Sequence, residues 1–173
     1  MKFTHIRHGS HMIDYNGKKF LVDPVFAEKG SMSAMPKART KEKNPLLPLP
    51  FNLDFVSSID AVFLTHTHFD HFDDKAKEIL PKDLPIICRS HDMKVIRKAG
   101  FTNIIVIDTS KVIFDDVQVK TVGGKHGVGL AGKLMGKTTG FILSDASAES
   151  IEPKVYITGD SIWCDEVEQA VSK

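Results

Sequence analysis

Thr65-His66-Thr67-His68-Phe69-Asp70-His71 places three imidazoles and a carboxylate within the six residues from 66 to 71. The stretch follows the apolar run Ala61-Val62-Phe63-Leu64, whose shortness, β-branched and aromatic content and polar flank read as a buried strand. The cluster therefore falls in the loop leaving the strand's C-terminal end, where open α/β sheets place their ligands. Side chains alternate along an extended chain, so His66, His68 and Asp70 are expected on one side. His71 joins them only if the loop turns, and Asp70 is a residue type that tolerates turns. Neutral imidazole nitrogens and carboxylate oxygens are the donor set for zinc and its first-row neighbours. The bland alternative is a capping aspartate beside surface histidines. It leaves four polar groups idle at the mouth of a buried strand, and their desolvation cost argues against it.

The surrounding chain has 173 residues, enough for one well-packed domain and too few for two. With 42% hydrophobic and 26% charged residues the composition is that of an ordinary globular protein. A net charge of +1 gives no reason to expect nucleic acid or an anionic membrane surface as partner. No run of eighteen apolar residues occurs, so no membrane span is expected. The opening residues from Met1 to His8 lack the apolar core of a signal peptide. Cys88 and Cys164 lie far apart among apolar neighbours and read as buried thiols, which places the protein in a reducing compartment, the cytoplasm.

Upstream of the cluster, residues 2–7 and 11–15 read as strands, and Asn16-Gly17 as a hairpin turn into a third strand at 18–22. Asp23-Pro24 ends that strand, and Asp23 either caps the loop or orients a metal-ligating histidine. Residues 25–53 hold Gly30, Pro36, Pro45, Pro48 and Pro50 and a basic run from Lys37 to Lys43, and read as a lid or insertion loop. Met32, Met35, Leu46, Leu47, Leu49 and Phe51 give it apolar side chains to cover a pocket. Lys37, Arg39, Lys41 and Lys43 form either a solvated face or a contact for a substrate phosphate.

Downstream, a helix from Phe72 to Leu80 is capped by Asp73 or Asp74. A strand at 84–88, a helix at 91–99 closed by Gly100, and a strand at 103–107 follow, an alternation that indicates an α/β layered domain. An antiparallel pair at 111–114 and 117–122 leads into Gly123-Gly124-Lys125-His126-Gly127-Val128-Gly129. His126 is either incidental to a flexible glycine loop or a ligand for the cluster, and the cluster's need for partners favours the second. The segment to Lys137 is expected to stay open before a strand at 139–143. Val155 to Thr158 runs into Gly159-Asp160-Ser161, where Asp160 is either a ligand or a cap for the helix beginning at Asp165-Glu166. Near the start, His8 reads as a contact of the metal site or its substrate, or as a packed strand-end residue, and His5 and His11 as structural.

In this order and spacing, the 65–71 cluster, His126 and Gly159-Asp160-Ser161 resemble the metallo-β-lactamase-fold hydrolase superfamily. Arg7-His8-Gly9-Ser10 followed by Phe20-Leu21-Val22-Asp23-Pro24 is similar to its branch of ascorbate-phosphate lactonase-like metal-dependent hydrolases. The resemblance covers nearly the whole chain. It implies an αβ/βα sandwich of two sheets with helices outside and two divalent metal ions at one edge, zinc first, with manganese or iron as alternatives. It implies further that His66, His68 and His126 hold the first ion, that Asp70 and His71 hold the second, and that Asp160 bridges them. The superfamily's second ion also takes a late histidine. No His follows His126, so the second half of the fold is expected to be incomplete and the chain truncated relative to the pattern.

Such a site implies a metal-dependent hydrolase in which metal-held hydroxide attacks a lactone, ester or phosphodiester of a small metabolite. Asp70 would orient that nucleophile and take up a proton. The rivals are a metal-binding or regulatory protein of this fold without turnover, and an RNA-processing nuclease, against which the near-neutral charge counts. A redox di-iron protein would place a Glu in the cluster, and this cluster has none. The expected partner is a small-molecule substrate, with no nucleic acid and no membrane, and an uncovered sheet edge would favour a homo-oligomer.

Overall fold

Asn16 and Gly17, both with positive φ, turn strand β2 (Ser10–Tyr15) into β3 (Lys18–Val22), and β1 (Lys2–Arg7) pairs antiparallel on the far side of β2. β4 (Ala61–Phe63), β5 (Ile86–Cys88) and β6 (Ile104–Val106) then add to β3 in parallel, giving a six-stranded sheet in chain order. A second sheet holds β7 (Ser110–Ile113), β8 (Val117–Lys125), β9 (Lys137–Asp145) and β10 (Val155–Ile157), all antiparallel and ordered β10-β9-β8-β7. Four short helices, α1 (Asp74–Ile79), α2 (Met93–Lys98), α3 (Gly129–Leu134) and α4 (Asp165–Val171), complete the chain. This computed structural model describes residues 1–34, 39–147, 149, 151 and 153–172.

The period of two along each strand divides the apolar side chains between two cores. Phe20 and Val22 of β3, Ala61 and Phe63 of β4 and Ile87 of β5 face the second sheet, where Val117, Val119, Phe141 and Leu143 meet them. Leu21, Val62, Ile86 and Cys88 point the other way, onto Phe72, Ala76, Leu80 and Ile96 from the helical side. Buried on both faces, β4 and β5 must be apolar throughout, which is why they read as continuous runs rather than alternating ones. On the outer face of the second sheet, α4 packs against β8. The result is the αβ/βα sandwich of the metallo-β-lactamase fold.

Several element boundaries differ from the expectation. The helix after the cluster begins at Asp74, with Asp73 as its cap accepting from the Ala76 amide at 2.6 Å. Gly123 and Gly124 lie inside β8 rather than in a loop, because the ladder to β9 needs only backbone groups and runs on to the Lys125–Lys137 pair. The segment expected to stay open contains α3. Gly132 of α3 folds against Gly127, where a Cβ would meet the Gly127 carbonyl oxygen at 2.4 Å, so two bare glycines close the turn.

Residues 25–53 carry one isolated bridge, Met32 with Asn44, among the described residues, and Leu53–Ser58 then forms a 3-10 turn. Buried Arg7 ties down the base of this loop by donating to the carbonyls of Val25 at 3.0 and 3.2 Å, Leu47 at 3.1 Å and Ala27. Asp73 accepts from the Ala27 amide at 2.6 Å on the other side. Of the apolar side chains expected over a pocket, Leu49 packs on the core while Leu46, Leu47 and Phe51 are exposed. Arg39, Lys41 and Lys43 are also exposed, and Met35, Pro36 and Lys37 lie outside the described residues.

Phe63 is fully buried between the sheets, edge-on to Phe20 at 5.3 Å and to Phe141 at 5.2 Å. Phe63→Ala is expected to cost about 3–5 kcal/mol through lost burial and the cavity left behind, read as a lowered midpoint in urea denaturation.

Candidate metal centre

At the C-terminal edge of β3 and β4 the two sheets are stitched together by polar groups. The Asp23 amide donates to the Phe63 carbonyl at 3.0 Å, and the Thr139 amide of β9 donates to the Thr65 carbonyl at 2.9 Å. Asp23 takes a left-handed backbone (φ +43°), which aspartate accepts more readily than most residues, and its carboxylate is buried. That carboxylate accepts from the Thr65 amide at 2.8 Å, from the Thr65 hydroxyl at 2.6 Å and from His71 Nδ1 at 2.8 Å. The two readings of Asp23 are therefore both present: it caps the loop and it orients a histidine.

The Thr65 hydroxyl has one proton, and Asp23 takes it. Its oxygen is left to accept from His66 Nδ1 at 3.0 Å, which assigns the proton to that nitrogen and leaves Nε2 bare. His66 Nε2 faces His126 Nε2 at 3.3 Å. Burial, with the charges of His71 and His68 adding to it, pushes the His66 imidazole down to about 3, so it is neutral at physiological pH.

After His66 the chain stays extended only to His68. The amides of His71 and Phe72 both return to the His68 carbonyl, at 3.0 and 2.8 Å, and this turn ends the alternation of sides. It carries His71 under His66, with ring centroids 4.1 Å apart. Asp70, within this turn, is half-buried. Two donor groups result, His66 with His68 and His126, and His66 with His71 and Asp160, each with its ligand atoms within 4.8 Å of one another. Among the described residues Asp70 joins neither, contrary to the expectation from strand alternation.

Asp160 reaches both groups, at 3.0 Å from His71 Nε2 and 3.4 Å from His126 Nε2. Gly159 makes this approach possible. It has φ +57°, and a Cβ there would lie 2.8 Å from Thr138 Oγ1 and 2.9 Å from Thr65 Cβ. Burial works against a charge on His71, but its hydrogen bonds to Asp160 and Asp23 outweigh it and push the imidazole up to about 10. The same bond from His71 is the main cause holding the Asp160 carboxyl below its ordinary range.

The donors fit a bound cation. The bare Nε2 of His66, the neighbouring imidazoles and a carboxylate spanning both groups form a donor set that a divalent ion satisfies in place of the protons now shared between them. Close in sequence to the donors are three exposed apolar side chains, Phe69, Val128 and Trp163, which are 50%, 77% and 67% exposed. Two features escaped the sequence reading: the hydroxyl relay through Thr65, and Arg7 as anchor of the 25–53 loop. The apolar flank of Thr65 gave no signal for the first, whereas an arginine directly after Ile6 at the end of a strand was a signal for the second.

Residues 18–172 match the β-lactamase superfamily domain, and the chain belongs to that superfamily. UPF0173 protein YddR of Bacillus subtilis is 36% identical over 175 residues, covering 99% of this chain and 67% of the relative. A UPF0173 metal-dependent hydrolase of Thermoplasma volcanium is 23% identical, covering 94% of this chain and 63% of that protein. The crystal structure of an isothiocyanate hydrolase from Delia radicum gut bacteria superposes with a TM-score of 0.90 at 33% identity, over 99% of this chain and 67% of that one. The chain thus spans about two thirds of the length of these relatives.

The shifts of His66 and His71 predict the pH response of chelator-stripped protein. His71, raised in the fold, contributes stability below about 6.5 that is lost as pH climbs towards about 10. His66, lowered in the fold, contributes stability above about 6.5 that is lost as pH falls towards about 3. For these two groups, stability in urea denaturation should peak near the ordinary imidazole value and fall on both sides, and saturating zinc should flatten the alkaline limb.

Proposed function

We propose that this chain carries the ligating and substrate-facing residues of a metal-dependent hydrolase acting on a small molecule. The observation that supports this most directly is the pair of donor groups sharing His66 and spanned by Asp160. His66, His68 and His126 would hold one divalent ion, and His71 with Asp160 a second, zinc being the first choice and manganese or iron the alternatives. A cation in such a site supplies Lewis acidity, lowering the pKa of water and polarising a substrate oxygen. The chain's own part is positioning. Asp23 and Thr65 keep His66 in one tautomer with Nε2 free, and Asp23 fixes the ring plane of His71. Asp70, in the turn between His68 and His71, is assigned to orient the attacking water and accept its proton.

The substrate class we favour is a lactone, ester or phosphodiester. Likeness to an isothiocyanate hydrolase supports a second reading, since an isothiocyanate also offers water an electrophilic carbon. The exposed Phe69, Val128 and Trp163 suit an apolar substituent on the nitrogen of such a group. Cys88 and Cys164 are buried free thiols, which fits the reducing cytoplasm, and among the described residues no helix is long and apolar enough to cross a membrane.

Protein purified without chelator is expected to contain zinc, manganese or iron by elemental analysis. It should also hydrolyse at least one of p-nitrophenyl acetate, bis(p-nitrophenyl) phosphate and benzyl isothiocyanate. Chelation should abolish turnover, and added zinc restore it. His68→Ala should lower metal content and cut turnover by at least about a hundredfold. Undiminished turnover in that variant would remove the metal mechanism.

A further inference from the structure

Beside the second donor group lies a cavity of about 230 Å³ whose lining includes His71 and Asp160 of that group together with His8 and His11. Three of these four side chains are already engaged. His71 gives one nitrogen to Asp23 and the other to Asp160. Asp160 takes that bond and faces His126 as well. The His11 Nδ1 meets the Gly9 carbonyl at 2.8 Å, and its ring stands against Phe3 with centroids 5.0 Å apart.

His8 is different. Among the described residues no hydrogen bond reaches its ring, although its backbone is held firmly. The His5 Nε2 meets the His8 carbonyl at 3.1 Å, and φ at His8 is +49°, a left-handed conformation that costs a side-chain-bearing residue energy. The next residue, Gly9, is pressed onto the metal centre, since a Cβ there would lie 3.0 Å from His71 Cε1. The tight turn between β1 and β2 therefore carries a free imidazole to the cavity wall, and His8 belongs to neither donor group.

We propose that His8 is a substrate-contacting residue whose imidazole donates a hydrogen bond to an anionic oxygen, of substrate or product, held at the metal centre. This rests on the metal-hydrolase reading above and adds the residue that meets the substrate from outside the ligand set. A neutral imidazole always carries one N–H, so the ring has a donor to offer. Asp160 and His71 line the same cavity as the His8 ring, so an oxygen held at the metal site and filling that cavity meets the ring.

The test uses zinc-loaded protein and inorganic phosphate as the oxyanion. Phosphate should shift the His8 ring resonances of histidine-labelled protein in NMR titration. His8→Gly, which suits the left-handed backbone and so removes the ring without strain, should weaken phosphate affinity about tenfold with zinc content unchanged. His8→Asn, which tolerates the same backbone and keeps an amide donor, should recover part of that loss. Equal phosphate affinity in wild type and His8→Gly would overturn the assignment, as would absence of phosphate binding from both. Loss of zinc in His8→Gly would also overturn it, by making His8 a ligand. Wild-type protein that takes up no zinc would instead sink the hydrolase reading itself, so the two failures are told apart.

Discussion

The Asp23 carboxylate holds this structure's working edge together. It is buried at the end of a central strand, where an unpaired charge would be expensive, and it is satisfied by the Thr65 amide, the Thr65 hydroxyl and His71. Those three bonds join the first sheet's hairpin half to the loop after β4 and to the turn that returns at His71. Through the Thr65 hydroxyl the same carboxylate reaches His66 and sets which of its nitrogens is free. One buried anion thus decides both the path of the loop and the protonation pattern of two donors.

Glycine and threonine make the remaining approach. The second sheet comes to the site through β9, whose Thr139 amide bonds the Thr65 carbonyl and whose Thr138 hydroxyl accepts from the Asp160 amide at 3.2 Å. With a side chain at 159 this contact could not close. The two sheets are accordingly in direct contact at the edge where the donors sit, and the site has contributions from both. Burial there keeps His66 neutral, while paired carboxylates favour charge on His71. These opposite pressures on two imidazoles 4.1 Å apart are what a shared cation would resolve.

The surroundings divide by chemistry. His8 lines the small cavity beside His71 and Asp160, while Phe69, Val128 and Trp163, one to three positions from His68, His126 and Asp160 in sequence, stand in solvent. A surface of both kinds around one donor cluster suits a substrate with an anionic or polarisable reacting group and an apolar body. The 25–53 loop is tied at its base by Arg7 and Asp73, so its reach over the site is set by two buried charged residues rather than by its own composition.

Much of this was legible in the residues. The hairpin at Asn16-Gly17, the buried run before Thr65, the strand-helix alternation and the clustering of His66, His68 and His71 follow from local pattern, because turn chemistry, periodicity and ligand type are properties of short stretches. His126 and Asp160 stood out only beside that cluster and through the family resemblance. What local pattern could not supply was where an extended segment stops. Alternation put Asp70 with His66 and His68, but hydrogen bonds back to the His68 carbonyl start a turn there, and His71 takes the place instead. The same limit applies to the glycines at 123 and 124, which belong to a strand because a neighbouring strand pairs with them. Composition and spacing determined that a cluster of metal-type donors lies at a strand end. Only the packing of two sheets decided which donors meet, which nitrogen is bare and which histidine stands free, since those depend on contacts between residues 34 to 152 positions apart in the chain.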